Sequence, residues 1–85
     1  MAAHSKSDVM DAVREIFAGT LRVPLADVHP GAQLIEDLQV DSLFLSQLAI
    51  ALEERFNIQL DEDEMSSVTT VQGVADYIAG KISAS

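Results

Sequence analysis

Ser42 is the residue of this chain whose type and position best suit covalent chemistry. It follows Asp41 and precedes a run with helical apolar spacing, so its hydroxyl is expected to lie exposed at the start of a helix. Helix N-termini favour attached or bound anions, because free N–H groups and the helix dipole present positive potential there. A phosphate ester on Ser42 would be well placed. On composition alone, however, an Asp-Ser pair is more often a plain helix cap.

The other reactive residues form no recognisable catalytic or metal-binding pattern. The histidines are His4, near the start, and His29, expected on a loop surface, and no Gly-x-Ser-x-Gly motif surrounds Ser42. The acidic run at 61–64 fails the EF-hand pattern, because Met and Ser follow it where a ligand and a glycine are required. We therefore expect no catalytic residue and no dedicated metal site. Because the chain has no cysteine, any thiol must come from an attached group.

Three segments have the apolar spacing of amphipathic helices, and none shows the sustained alternation of a strand. The first spans about 7–20, the second begins after the Asp41 cap and ends at Phe56, and the third covers 71–82. A brief helical turn is expected at 64–68. The sequence thus predicts an all-α fold, a small bundle of three to four helices with a long first loop.

The helix ends and the chain ends complete this expectation. Ser7 is the expected N-cap of the first helix, and Thr69 with Gln72 fits a capping box for the last. At 85 residues, the chain is expected to form a single domain over 1–85. Its core should span about 7–82, with flexible ends at 1–6 and 83–85.

The long first loop, residues 21–40, breaks the helical spacing. Pro24, Pro30 and Gly31 punctuate it. Its apolar residues are expected to pin it to the core, and they are Leu25, Val28, Leu34, Ile35 and Leu38. Because about 20 structureless residues are unusual in a compact domain, we expect this loop to contribute to shape or function.

The second helix has two stripes on roughly opposite faces. The stripe expected to be buried comprises Leu45, Leu48, Ala49, Leu52 and Phe56. The opposite stripe, here called the exposed row, comprises Leu43, Gln47, Ile50 and Glu54. One small core cannot bury both stripes. We therefore expect the exposed row to be available to a partner.

The charge of the chain restricts its partners. Fourteen acidic and five basic residues give a net charge of −9, and residues 36–64 alone carry −8. Such a polyanion repels phosphate backbones and anionic lipids, so neither nucleic acids nor membranes are expected partners. The local field would instead steer basic proteins towards this region, although a solvated acidic face is the plainer explanation. The first residues are polar and no membrane-length apolar run occurs, so we expect a cytoplasmic protein.

The stretch LIEDLQVDSLFLSQLAIALEERFNIQL, residues 34–60, closely resembles the acyl carrier proteins of fatty-acid and polyketide synthesis. The hallmark of that family is Asp-Ser-Leu at the start of a helix, which here is Asp41, Ser42 and Leu43. Matching blocks lie before the serine, after it and near the end of the chain, and they are Leu34, Glu36, Asp37 and Leu38, then Ala51, Leu52, Glu53, Glu54 and Phe56, then 68–72 and 76–78. The resemblance covers about 9–82.

The resemblance implies a mechanism. In this family a separate, magnesium-dependent phosphopantetheinyl transferase transfers 4′-phosphopantetheine from coenzyme A to the serine, and Ser42 is the matching position. The thiol of the arm carries acyl groups as thioesters to loading, condensing and modifying enzymes, while the carrier itself catalyses nothing. Asp41 would cap the helix and help position the transferase or its metal. The residues expected to meet basic and apolar patches on the partner enzymes are Leu43, Phe44, Gln47, Ile50, Glu53 and Glu54.

Some positions depart from the usual pattern of the family. Phe44 and Gln47 stand where acidic or polar residues are common, and Gln39 and Val40 replace small residues that often include glycine. These changes remove charge from the partner face. They favour a dedicated pathway, whose enzymes offer a more apolar groove, over general fatty-acid synthesis, unless Phe44 folds back against the loop as core.

Two other functions share the predicted fold. A peptidyl or aminoacyl carrier of nonribosomal synthesis would usually show Gly-Gly before the motif and be less acidic, unlike the residues at 39–41. A cofactor-free interaction module would bind proteins through the exposed row and would differ only in leaving Ser42 unmodified. A carrier that visits several enzymes is expected to be a monomer.

Overall fold

The computed structural model describes residues 6–84 and contains four α-helices. They are α1 (Lys6–Leu21), α2 (Ser42–Phe56), α3 (Glu62–Ser66) and α4 (Val71–Ala84), with a 3₁₀ turn at Leu25–Asp27 in the first loop. α1 packs against both α2 and α4, and α3 packs against α2. Within residues 6–84 the β-structure is limited to one isolated bridge between Gln33 and Thr70. The predicted all-α bundle is confirmed.

One apolar core joins all four helices and the first loop. Its largest fully buried side chains include Phe17 of α1, Leu48 and Leu52 of α2, Met65 of α3 and Ile78 of α4. No polar or charged residue in the described range is buried. The predicted buried stripe of α2 is confirmed, since four of its members are buried and Leu45 is half-buried against the same core.

The first loop is held in place by hydrogen bonds at both of its faces. From α1, the guanidinium of Arg14 donates to the carbonyl oxygens of Val28 (2.7 Å) and Leu25 (3.1 Å). On the other side, the loop carbonyls of Pro30 and Ala32 accept from the first N–H groups of α4, at 2.9 and 3.1 Å. The loop is therefore a fixed part of the fold despite its lack of regular structure.

Two of the apolar loop residues do not pin the loop as predicted. Val28 and Leu34 are buried and Leu38 is half-buried, but Leu25 is 44% exposed and Ile35 is 75% exposed. Neighbouring side chains such as those of Leu34 and Ile35 point in different directions, so the five cannot all face one core. The turns at 25–27 and 35–38 instead direct some side chains outwards.

Two predicted helix starts are wrong by one or two residues, and the predicted cap of the last helix is wrong by one. α1 begins at Lys6, so Ser7 lies inside its first turn rather than capping it. Of the expected flexible end at 1–6, residues 1–5 lie outside the described residues, whereas Lys6 belongs to the helix. α3 begins at Glu62 rather than residue 64, because Asp61 caps it by accepting from Asp63 N–H (2.8 Å). α4 is capped by Thr70, whose Oγ1 accepts from Gly73 N–H (3.0 Å), rather than by Thr69. At the far end, residues 83 and 84 of the expected flexible end at 83–85 continue α4, and residue 85 lies outside the described residues.

Tyr77 of α4 fastens the short α3. Its hydroxyl donates to Glu64 Oε1 (2.6 Å) and accepts from Asp61 N–H (3.1 Å). Lys81 Nζ lies 3.4 Å from the same Glu64 oxygen. Burial, followed by the hydrogen bond to Glu64, raises the pKa of the Tyr77 hydroxyl, and the negative charge of Glu64 raises the pKa of Lys81.

These two shifts predict a loss of stability at alkaline pH. Both groups hold their protons more tightly in the folded state, so as pH rises the unfolded chain loses protons first and stability falls. The urea midpoint should decline between about pH 9 and about pH 11, where Tyr and Lys ordinarily titrate. Because Tyr77→Phe removes the hydroxyl, the urea midpoint of this variant should decline less steeply with pH than that of the parent. Parallel declines in the two proteins would contradict this role for Tyr77.

Candidate functional site

Asp41 and Ser42 form the first corner of α2. Asp41 is the N-cap, and its Oδ1 accepts from the N–H of Phe44 at 2.9 Å. The carbonyl oxygen of Asp41 also accepts from Leu45 N–H at 2.8 Å, which fixes the first turn twice. Ser42 is the first residue of the helix and is exposed. The predicted geometry, an accessible hydroxyl beside a capping carboxylate, is confirmed.

The chain enters this corner through a tight turn. Val40 is buried, and its N–H donates to the carbonyl oxygen of Leu34 at 2.8 Å. Asp37 and Leu38 both donate their N–H groups to the carbonyl oxygen of Gln33. Gln39, between Leu38 and Val40, has a φ of 57°, in the left-handed region that favours glycine. The position of Ser42 therefore depends on a turn that holds one residue in an unfavourable backbone conformation.

Two grooves open beside Ser42. The α3-side groove, about 190 Å³, is lined by Ser42, Leu45, Ser46, Ala49, Glu62, Asp63, Met65 and Ser66. The loop-side groove, about 240 Å³, is lined by Leu34, Ile35, Val40, Asp41, Ser42, Leu45, Ser66 and Val68. Sequence reasoning missed Ile35 as a surface residue of this site because it counted every apolar loop residue as core.

The exposed row of α2 is exposed as predicted. Leu43 is 66% exposed and Ile50 57% exposed, and Gln47 and Glu54 are also exposed. Leu43 directly follows Ser42, so the row begins beside the candidate attachment residue. No carboxylate occurs in it before Glu54.

Phe44 and Glu53 are less available to a partner than the sequence suggested. Phe44 is half-buried and packs against the core, as its alternative interpretation proposed. Glu53 is half-buried, and its Oε2 accepts from the N–H of Leu60 at 2.8 Å, where it fixes the chain that leaves α2. A charged substitution such as Phe44→Asp would therefore perturb folding as well as docking.

The other candidates for chemistry stay apart from the site. His29 is exposed on the first loop, as expected, and His4 lies outside the described residues. Among residues 6–84, no three His, Asp or Glu side chains could together hold a metal ion. Of the acidic residues at 61–64, Asp61 caps α3 and Glu64 links it to Tyr77 of α4. None of the helices in this range is long and apolar enough to cross a membrane.

Comparison with known proteins assigns the family. The family model described as "Phosphopantetheine attachment site" matches residues 11–78. The acyl carrier protein of Thermobifida fusca is 33% identical over 76 residues, which cover 89% of this chain and 96% of that protein. The chain belongs to the acyl carrier proteins. The carrier is also 38% identical over 80 residues to the acyl carrier protein of Thermosynechococcus vestitus (94% and 99% covered). For that of Acidothermus cellulolyticus the identity is 35% over 77 residues (91% and 92% covered).

Family membership defines the general role of this carrier. It is a non-catalytic protein that bears covalent 4′-phosphopantetheine and carries acyl groups. Its family interacts with phosphopantetheinyl transferases and with biosynthetic enzymes. The absence of cysteine from the chain is consistent with this role, because the arm supplies the thiol.

The turn before Ser42 yields a stability prediction. Gln39→Gly is expected to raise the free energy of unfolding by up to about 1 kcal/mol, because glycine adopts positive φ without the steric cost of a side chain. The matched control is Gln33→Gly, an exposed glutamine of the same loop without positive φ, which should lower it by about 0.5 to about 1 kcal/mol. Urea unfolding at unchanged m-value measures both. Equal losses in the two variants would show that position 39 carries no left-handed cost.

Proposed function

We propose that the Ser42 hydroxyl is the attachment point of the phosphopantetheine arm. The observation that supports this most strongly is an exposed serine at the first position of α2, held there by the Asp41 cap. The transferase would use the serine oxygen to displace adenosine 3′,5′-bisphosphate from coenzyme A, which leaves a phosphodiester on Ser42. The arm's thiol then holds acyl groups as thioesters.

The residues around Ser42 fit an anionic phosphodiester and a long arm. Asp41 satisfies the N–H of Phe44, so the N–H groups of Ser42 and Leu43, which have no acceptor within the helix, are left at the helix end. These donors and the helix dipole favour negative charge on Ser42. The side chain of Asp41 keeps this helix end fixed and gives the transferase, or its metal, a carboxylate beside the reacting hydroxyl.

Modification can be tested by intact mass. After incubation with coenzyme A, Mg²⁺ and a broad-specificity phosphopantetheinyl transferase, the protein should gain one phosphopantetheine. Ser42→Ala should gain none, whereas Ser46→Ala, which removes a half-buried hydroxyl one turn further along α2, should be modified like the parent. Modification of a folded Ser42→Ala variant would show that the arm is attached elsewhere.

We propose in addition that this carrier serves a dedicated fatty-acid, polyketide or related pathway rather than general fatty-acid synthesis. The support is the exposed row, where Leu43, Gln47 and Ile50 offer apolar and uncharged groups ahead of the first carboxylate at Glu54. Such a surface suits enzymes with an apolar docking patch and a basic rim. Because several enzymes would use the same face in turn, we propose that the protein acts as a cytoplasmic monomer.

Adding charge to the exposed row should shift partner preference. With a malonyl transferase of general fatty-acid synthesis as the probe, Gln47→Glu is expected to raise kcat/KM several-fold. The gain should be larger at low ionic strength, because a rim charge acts mainly on association. Gln59→Glu makes the same change at an exposed position outside α2 and should have little effect. Equal responses of the two variants would show that net charge, and not the row, determines acceptance.

A further inference from the structure

The two grooves beside Ser42 differ in chemistry although both begin at the same residue. Ser42, Leu45 and Ser66 border both of them. The remaining wall of the loop-side groove is apolar except for Asp41, and its members are Leu34, Ile35, Val40 and Val68. The remaining wall of the α3-side groove includes the carboxylates of Glu62 and Asp63 and the hydroxyl of Ser46. An arm attached at Ser42 therefore meets one apolar groove and one acidic groove.

The arm has a chemistry that distinguishes between these grooves. Its first segment is an anionic phosphodiester followed by a quaternary carbon that bears two methyl groups. Contact of those methyl groups with aliphatic side chains removes apolar surface from water. Two exposed carboxylates border the α3-side groove and disfavour the phosphodiester. The loop-side groove has only that of Asp41, whose charge is partly balanced by the Phe44 N–H that it accepts from.

The loop-side groove also contains an apolar residue that is not part of the core. Ile35 is 75% exposed, although Leu34 and Val40, which line the same groove, are buried. An isoleucine left in water beside an attachment residue has apolar surface available for a ligand. Core packing therefore does not account for an isoleucine at this position.

We propose that the loop-side groove binds the first segment of the phosphopantetheine arm, with its two methyl groups packed against Ile35, Val68 and Leu45. This inference rests on Ser42 being the attachment point. Binding in this groove directs the arm over the first loop and away from the acidic surface of α3. Ile35 and Val68 are thus positioning residues for the arm.

The test uses the phosphopantetheine-loaded protein, with modification first verified by mass, and NMR detection of methyl contacts. Nuclear Overhauser effects are expected between the two methyl groups of the arm and the methyl groups of Ile35 and Val68. Ile35→Ser should lose the contacts at position 35 and weaken those at Val68. Because Ile35 is exposed, this variant should retain its fold, which an unchanged thermal midpoint would verify.

Two controls separate the possible outcomes. Leu25→Ser removes another exposed aliphatic side chain of the first loop, which lies outside both grooves and outside the exposed row, and it should leave the arm contacts unchanged. The methyl groups of Ala49 and Met65 report on the α3-side groove, and contacts from the arm to them in place of Ile35 would overturn the proposal. A loaded protein with no contact in either groove would overturn it as well. A protein that gains no arm would instead refute the attachment at Ser42.

Discussion

The structure depends on the hydrogen bonds by which the first loop satisfies the N–H groups at the start of α4. The first N–H groups of a helix have no partner within it, and burial of Val71 places this helix end against the core, where water cannot serve all of them. The carbonyls of Pro30 and Ala32 and the hydroxyl of Thr70 accept from the first three N–H groups of α4. The middle of the loop is thereby fixed, and the turn that delivers Ser42 to the surface starts from a fixed base.

This dependence explains which parts of the fold could be read from the sequence. α2 and its Asp41 cap were predicted because the cap and the N–H that it accepts from are three residues apart, so local sequence contains the whole interaction. The start of α4 at Val71 was also predicted, but its cap was assigned to Thr69, one residue early. Its two backbone acceptors could not be predicted because they lie about 40 residues earlier, on a loop with no periodic signal. Local patterns identify a helix, whereas the acceptors of its first N–H groups can come from contacts that only the fold supplies.

In the acidic segment at 36–64, too, local sequence shows which residues are present but not which contacts they make. Five of its nine acidic side chains accept hydrogen bonds from the chain itself, and they are Asp37, Asp41, Glu53, Asp61 and Glu64. The sequence predicted the charge of this surface but could not separate carboxylates that cap turns from those that face solvent. Glu53 illustrates the reason, since its acceptor role depends on Leu60 folding back beside the end of α2. For the same reason the sequence does not determine whether Phe44 faces the core or a partner, because helical spacing alone does not show what covers a side chain.

These carboxylates have two roles, and the two together explain how a carrier can bind its partners both specifically and transiently. Asp37 and Asp41 hold the turn and the helix start at Ser42, so a partner enzyme would not have to order that corner on binding. The remaining charge acts at a distance and raises association rates, while the proposed apolar contact is confined to a row that contains two large exposed side chains, Leu43 and Ile50. So small an apolar area favours weak docking and rapid release. On the proposed mechanism, the fold therefore positions Ser42, and the negative field raises the rate of encounter with partner enzymes. Neither holds the partner after the acyl group has been transferred.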